Sequence, residues 1–449
     1  MKARRITPES RIAVLGAGCA GLTCAEFLRL RGAKQVTVFE ASDRAGGKVW
    51  SVPYEGAPAG GRGLFEAGTV FFVPGPVWSH VLSRYGVSTE IAPMPSVRIA
   101  DLSRGRIRHP LAVSGGWSVF QRLIQTGRFL RMLERYGPLM DQKPGLQAHA
   151  RPDVAIPAGE WFTQAGMPFV RQVLLPIAGG AQFGPGLDQV PALYVIRLLT
   201  LLRRYPLVNQ LRLAMPQLRA GHDTVWRRVA QAHGVRFREA VQRLRRLTDG
   251  TVEVETTNGG YRFDAVISTL PPGKLAAIAD FSDAERVPWS RVRTLSRVVL
   301  TARVSGLPPR VFHAPRFQDD GSIPPAHPYL QYEIDPGCGW MTFHPFLDGG
   351  RTVADAEAAC RDVVARLGGR LESIEHRALI PEWFPHFGEQ EVRDGLYDLL
   401  ESTQGGGNLW HASELFSGIS VPHATEYARQ LVGRMLPDTA EDLTGSPLR

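Results

Sequence analysis

The chain has 449 residues, 44 % of them hydrophobic, enough for two or three domains around a large core. Its net charge of +9 hints at nucleic acid. However, only five of the 52 basic residues are lysines, and the arginines are scattered without long runs or interleaved aromatics, so no nucleic-acid partner is expected.

In chain order, the first informative segment is 11–47. Ile12 to Leu15 is an apolar run of the length of a buried parallel strand. It enters Gly16-Ala17-Gly18-Cys19-Ala20-Gly21. Gly16 permits a tight turn, Gly18 leaves room for backbone to approach a pyrophosphate, and Gly21 lets the next helix pack closely. That helix is expected over Cys19 to Arg31, with Gly32 as its stop. Its unpaired N-terminal amides, those of Cys19 and Ala20 included, favour phosphate. A second strand, Gln35 to Phe39, ends at Glu40, where a carboxylate suits ribose hydroxyls. The spacing predicts a cradle for an adenine dinucleotide. Glu40-Ala41-Ser42-Asp43-Arg44-Ala45-Gly46-Gly47-Lys48 follows, with a second glycine pair and a cation. The first piece closes on Glu66-Ala67-Gly68-Thr69 near residue 75.

Residues 115–215 read as helical, with Trp117 to Tyr136 and Val190 to Arg204 apolar at helical spacing. Pro176, Gly179, Gly180, Gly184, Pro185 and Gly186 punctuate them. Over 216–290, Val235 to Glu239, Val252 to Thr257 and Tyr261 to Ser268 read as three strands, with Asn258-Gly259-Gly260 as a hairpin turn. Pro271 and Pro272 must end the last of them. Arg297 to Val304, Tyr329 to Ile334 and Trp340 to Phe346 read as a further sheet. Pro381-Glu382-Trp383-Phe384-Pro385-His386-Phe387 precedes a helical stretch, Glu389 to Leu400. A strand then delivers Glu414, and Gly418 to His423 lead into a last helix, Ala424 to Leu436.

The E-x3-R-x-G-G run from Glu40 to Gly47 resembles the flavin amine oxidase, protoporphyrinogen oxidase and phytoene desaturase superfamily. The D-x-V-I-x-T-x-P ending at Asp264 to Pro271 is similar to that of its members. Motif order is closest to polyenoic fatty acid double-bond isomerases: GGK at 46–48, EAG at 66–68, Asp188 to Val195 and WFPH at 383–386. Relatives carry arginine where this chain has Lys48, and often A-G-E where it has Ser413 before Glu414. The resemblance implies an α/β (α+β overall) fold: a Rossmann-like FAD-binding domain of glutathione-reductase type, with an interleaved substrate domain of sheet plus helices. The FAD-binding pieces would be 1–75, 216–290 and 381–449. The substrate pieces would be 76–215, mainly helical, and 291–380, mainly sheet.

FAD is the expected cofactor, bound non-covalently because the WFPHF block has no cysteine to attach it. The implied contacts are Gly16, Gly18, Cys19, Ala20, Gly21, Glu40, Ala41, Arg44, Gly46, Gly47, Lys48, Glu66, Gly68, Thr69, Val241, Glu414, Val421 and His423. The amides near Val421 and His423 would face flavin O2. Phe183, Trp383 and Phe384 are candidate substrate-pocket walls. His386 is the candidate catalytic residue, since its ordinary pKa of about 6.5 would allow proton transfer near neutrality.

A flavin takes hydride at N5 from amine, alcohol or doubly allylic C–H groups. Net oxidation and redox-neutral double-bond isomerisation of a largely apolar small molecule, in lipid or natural-product metabolism, are both open readings. A flavin-binding protein without catalysis is the reading of another class. An NAD dehydrogenase would leave the second glycine pair and the Glu414 block unexplained. Peripheral contact with an anionic membrane surface stays open, and the oligomeric state is not readable. No apolar stretch approaches the roughly twenty residues of a spanning helix. MKARRITPES lacks the apolar run of a signal peptide, so the expected compartment is the cytoplasm. Cys19, Cys24, Cys338 and Cys360 form no CxxC pair and no zinc spacing, so neither disulfide nor metal is expected.

Overall fold

The structure is a computed structural model that describes residues 5–69, 73, 75–93, 96–102, 105–108, 117–143, 145–172, 182–184, 189–204, 214–308, 311–315, 328, 331–335, 337–347 and 349–437. A four-stranded parallel sheet runs in the order Leu409–His411, Ala265–Ser268, Arg11–Leu15, Gln35–Phe39. Its strands come from three distant parts of the chain. Ile12 to Leu15 and Ala265 to Ile267 are fully buried, as a sheet covered on both faces requires. The Asp264 carboxylate accepts the Arg11 amide at 2.8 Å, which pins the start of the central pair. The crossover helix is Cys19–Leu30, and Gly32 follows it at φ 88°. The last helix, Val421–Met435, packs against it.

Beside this sheet lies an antiparallel meander, Val241–Arg246, Val252–Thr256 and Gly259–Phe263. The strand expected over Val235 to Glu239 is not one. That stretch bonds to the end of the Gln35–Phe39 strand instead, with Arg236 N to Val38 O and Glu40 N to Arg236 O both at 2.9 Å. Arg238 then turns through φ 56° before the true strand opens at Val241. The hairpin turn is Thr257-Asn258, because Gly259 already pairs with Thr256.

The second sheet is antiparallel for the most part. It runs Phe346–Leu347, Arg293–Ser305, Trp340–Phe343, Gln331–Glu333, Val311–Pro315, Ser96–Asp101, Arg106–Arg108, and Arg370–His386 pairs with Arg293–Ser305. The 17-residue strand Arg370–His386 was not read from the sequence. Its alternation is interrupted by four register shifts against its partner, and much of its solvent face is charged. The Glu382–His386 block is the end of this strand, so the boundary read at 380/381 falls inside it. Within 76–215 most of the described elements are helices, while Ser96–Asp101 and Arg106–Arg108 join this sheet.

Helices occupy Val119–Gln142, Ala158–Gln164 and Ala192–Thr200. The first is capped by Ser118, which accepts from the Gln121 amide while Gln121 returns a bond to Ser118 N. Gly395, at φ 74°, divides the expected Glu389 to Leu400 helix into Glu389–Arg393 and Leu396–Ser402. Of the glycine and proline punctuation, Pro176, Gly179, Gly180, Pro185 and Gly186 lie outside the described residues, as does Asp188.

Candidate functional site

The C-terminal ends of the parallel strands carry the glycine turn. Gly16 sits at φ 101°, and a Cβ on Gly21 would come within 2.0 Å of the Gly16 carbonyl, so both positions exclude side chains for the protein's own reasons. Gly18 is different. Its φ of −73° and ψ of 176° suit any residue. A Cβ there would meet only the Gly47 Cα at 3.8 Å, an ordinary contact. Nothing in the protein requires glycine at 18, whereas a ligand laid against the turn would. Gly18 caps the crossover helix without a side chain, so the first-turn amides have no partner inside the helix.

The second glycine pair passes directly over this turn. Gly46 N donates to Ala17 O at 2.9 Å, and a Cβ on Gly47 would lie 3.1 Å from the Gly18 Cα. The pair is therefore demanded by two backbones in contact. Glu40 joins them: its carboxylate accepts from Ala17 N, Ser42 N and Ser42 Oγ, each at 2.8 Å. Arg44 donates to Gly47 O at 2.8 Å and lies 4.4 Å over the Trp50 ring, while its Nη1 is buried without a protein partner. Burial lowers its pKa against the opposing charge of Glu40, Asp223 and Asp43. A half-desolvated guanidinium with a spare donor beside unpaired helix amides fits a diphosphate.

Lys48 links the first piece to the last. Its Nζ donates to Glu414 Oε2 at 2.7 Å and to Glu382 O at 2.9 Å, and lies 5.4 Å from the Trp383 ring centroid. Ser413, at φ −83°, has no need of the glycine found in relatives, and its buried Oγ has no protein partner. Glu66 was expected beside the cofactor. Its oxygens instead receive Ser51 Oγ and Arg62 Nη2, both at 2.6 Å, and the His222 amide at 3.3 Å, which makes it a brace for the 48–68 excursion. Gly68 passes under Lys48, where a Cβ would sit 1.8 Å from the Lys48 carbonyl. The Thr69 carbonyl meets His222 Nδ1 at 2.9 Å. Val241 is buried at the start of its strand, and Ala41 is exposed. The His423 amide, expected to face flavin, is taken by its helix cap Ser420 Oγ at 3.2 Å. Pro422 has no amide, which leaves Val421 as the remaining first-turn donor without a partner inside the helix. Burial pushes the Cys19 thiol up to about 12, so it stays protonated.

A cleft opens where the last helix begins, lined by Tyr194, Arg197, Leu198, Phe384, Gly418, Ile419, Ser420 and His423. His423 Nε2 is buried without a partner, and burial lowers the pKa of Arg197 to about 9. Behind it stands an aromatic cluster. Phe384 meets Phe183 edge-on at 4.8 Å and Tyr194 at 5.2 Å, and stacks on His386 at 4.1 Å. The Tyr194 hydroxyl bonds Tyr397 Oη at 2.8 Å and receives the Phe387 amide at 2.8 Å. Glu382 and Phe384 hold φ of 50° and 49° on either side of Trp383. Such conformations cost on the order of 1–3 kcal/mol each and collect at functional sites.

His386 does not line the cleft. Its Nδ1 bonds the Phe384 carbonyl at 2.8 Å, and burial pushes its pKa down to about 4. That lowering moves its titration well away from neutrality, against the expectation of proton transfer there. Sequence reasoning assigned no role to Tyr194, Arg197, Ser413 or Ser420, although Tyr194 lies in the Asp188 to Val195 block and Ser413 departs from the A-G-E pattern. Among the described residues no group of three His, Cys, Asp or Glu could hold a metal ion, and the four cysteines are unpaired. No helix among them is long and apolar enough to cross a membrane.

The chain matches the family described as flavin containing amine oxidoreductase over residues 19–303, more than half its length. It is 34 % identical over 122 residues to tryptophan 2-monooxygenase of Pseudomonas savastanoi, covering 26 % of this chain and 22 % of that one. It is 39 % identical over 95 residues to the same-named enzyme of Agrobacterium tumefaciens (strain Ach5), covering 21 % and 12 %. The alignments thus span less than a quarter of these relatives. Among solved structures, a CLA-producing fatty acid isomerase from P. acnes superposes with a TM-score of 0.79 at 22 % identity, over 96 % of this chain and 99 % of that one. Putrescine oxidase bound to putrescine gives 0.66 at 17 %, over 96 % and 99 %. Identities this low establish a common fold. The family match and the glycine cradle agree, and the protein is an FAD-dependent enzyme belonging to the flavin-containing amine oxidoreductase family.

Proposed function

We propose that this enzyme removes hydride from a C–H bond of a largely apolar small molecule, with FAD held non-covalently between the glycine turn and the start of the last helix. When bound, FAD supplies the hydride acceptor at N5. The amides of Gly18, Cys19, Ala20 and Gly21 would hold the pyrophosphate, with the spare nitrogen of Arg44 adding charge. Glu40 retains lone pairs for ribose hydroxyls, and Ala41, Thr69 and Val241 would lie along the nucleotide. Lys48, Glu414 and Ser413 would border the ribityl side. Val421 N would meet the pyrimidine edge, where the helix terminus favours negative charge.

The observation that carries the substrate class is the lining of the cleft. Tyr194, Leu198, Phe384 and Ile419 form its apolar walls beside Arg197, Ser420 and His423, and no carboxylate is among the described lining residues. Among these residues an ammonium substrate would meet the Arg197 cation and no counter-ion, while an apolar group would pack against the four apolar side chains. The positioning role falls to Phe384, clamped by Phe183, Tyr194 and His386. Neutral His386 would act through this stack rather than by carrying a proton at pH 7.

The whole-chain fold likeness to a fatty acid isomerase supports a second reading, in which hydride returns to another carbon and a double bond moves. Anaerobic mixing tests both. Polyunsaturated lipids and other doubly allylic compounds should either bleach the flavin band, for oxidation, or be converted without bleaching or peroxide, for isomerisation. Bleaching by simple primary amines, with unsaturated lipids inert, would overturn the apolar assignment.

A further inference from the structure

The helix Val119–Gln142 has two apolar sides. One is core: Phe129, Met132, Leu133, Tyr136 and Met140 are buried. The other faces solvent. Val119, Phe120 and Leu123 are 73 %, 72 % and 65 % exposed, and Leu130 and Ile124 are 52 % and 39 % exposed. At about 100° per residue these five fall within roughly 140° of arc, opposite the buried face. Exposed apolar side chains scattered singly need no explanation, but a contiguous stripe of five does. Arg131 is exposed at one edge of the stripe, with Arg135 and Arg128 exposed just beyond it, the last donating to Gly166 O at 2.7 Å. Glu134, one turn beyond Leu130, marks where it stops. Asp141, the other acidic residue of the helix, is occupied by Arg203 and Arg204.

We propose that this face is a docking surface for an anionic bilayer, with Val119, Phe120, Leu123, Ile124 and Leu130 entering the boundary between headgroups and acyl chains while the arginine flank meets lipid phosphates. Charge decides the occupant. The flank has one sign, so two copies meeting through this face would bring arginines against arginines. A surface of anionic headgroups over an apolar layer matches both the flank and the stripe. The chain's net charge of +9 acts in the same direction at longer range. The apolar stripe lies in the N-terminal half of the helix, so that half would enter and the Glu134 half would stay in water. The inference rests on this surface alone and stands whether the enzyme oxidises or isomerises.

The test is co-sedimentation of the flavin-loaded full chain with vesicles of phosphatidylcholine, with and without phosphatidylglycerol. Binding to the anionic vesicles, weakened by salt, is expected. Phe120→Glu with Leu123→Glu should abolish it while flavin content is unchanged. Arg131→Gln with Arg135→Gln should weaken it by about five-fold per arginine removed and erase the preference for anionic lipid. A Phe120→Trp variant should show indole quenching by brominated acyl chains, which reads insertion without removing an apolar group. No vesicle binding, or binding indifferent to Phe120→Glu with Leu123→Glu, would overturn the proposal. So would a self-associating chain that these glutamates convert to monomer while neither form pellets with lipid, which would assign the face to a second copy.

Discussion

In the segment 11–47, most of the contacts that dictate residue type lie close in sequence, Thr269 against Gly16 being an exception. Gly21 answers to Gly16, Gly46 to Val49, Gly47 to Gly18, and Glu40 to Ala17 and Ser42. The segment 382–386 is held from a distance. The Glu382 carbonyl meets Lys48 across 334 residues, the Trp383 indole donates to Gln182 O across 201, and the Glu382 carboxylate accepts the Gly273 amide across 109. The first region is a local motif that needs few neighbours. The second holds two residues at positive φ and is stable only because remote groups over-determine it. A cofactor cradle can thus be written in a few dozen residues, while the adjoining pocket wall is a product of assembly.

The largest expected effect breaks the local side of this comparison. Gly18→Val should leave the fold intact, since a Cβ at 18 meets only an ordinary contact, yet empty the flavin site. The ratio of flavin to protein absorbance, read beside far-UV circular dichroism, checks it. A folded Gly18→Val protein with full flavin would refute the reading of position 18.

The next effect probes the assembled side through pH. Burial holds the pKa of His386 at about 4 in the folded chain, against an ordinary 6.5. The unfolded chain therefore takes the proton first, and stability present above about pH 6.5 is lost as pH falls toward 4. This single group should account for about 2 kcal/mol of loss between pH 7 and pH 5. In urea unfolding, His386→Phe should lose about that much less than the parent over the same interval. An identical acid-side decline in both proteins would remove His386 as its source.

Smaller effects sharpen the junction between the two regions. Ser413→Ala removes a buried hydroxyl that no protein group uses, so stability should hardly change. The FAD dissociation constant should rise by roughly five-fold, or about 1 kcal/mol, if the cofactor is its partner. Lys48→Met breaks the bridge to Glu414 and Glu382, a pair about one-quarter exposed at each end. The apo protein should lose less than about 1 kcal/mol, with a larger drop in melting temperature for the flavin-loaded form. Equal shifts in both forms would make the bridge purely structural.

The parallel pair, the crossover helix, Gly32 as its stop and the acidic strand end were readable because each rests on a short-range rule: apolar run, glycine turn, capping residue, carboxylate. Strand Arg370–His386 was not readable, since its bulges and charged outer face hide the period of two that marks a strand. Stretch 235–239 misled in the opposite way. It alternates as a strand does, yet its backbone groups bond to residues 38 and 40. Tyr194 looked like any apolar-face residue of a helix. Only the arrival of Phe387 and Tyr397 at its hydroxyl distinguishes it.

By itself the sequence determined that a glycine turn follows the first strand and which family the chain belongs to, because glycine positions and a single carboxylate act over a few ångströms of local backbone. Tertiary structure alone decided that burial lowers the pKa of His386, that Ser420 caps the His423 amide, and that Arg197 joins Tyr194 and Phe384 around one cleft. Ionisation and pocket shape depend on which distant surfaces exclude water from a group, and desolvation cannot be read from spacing along a chain.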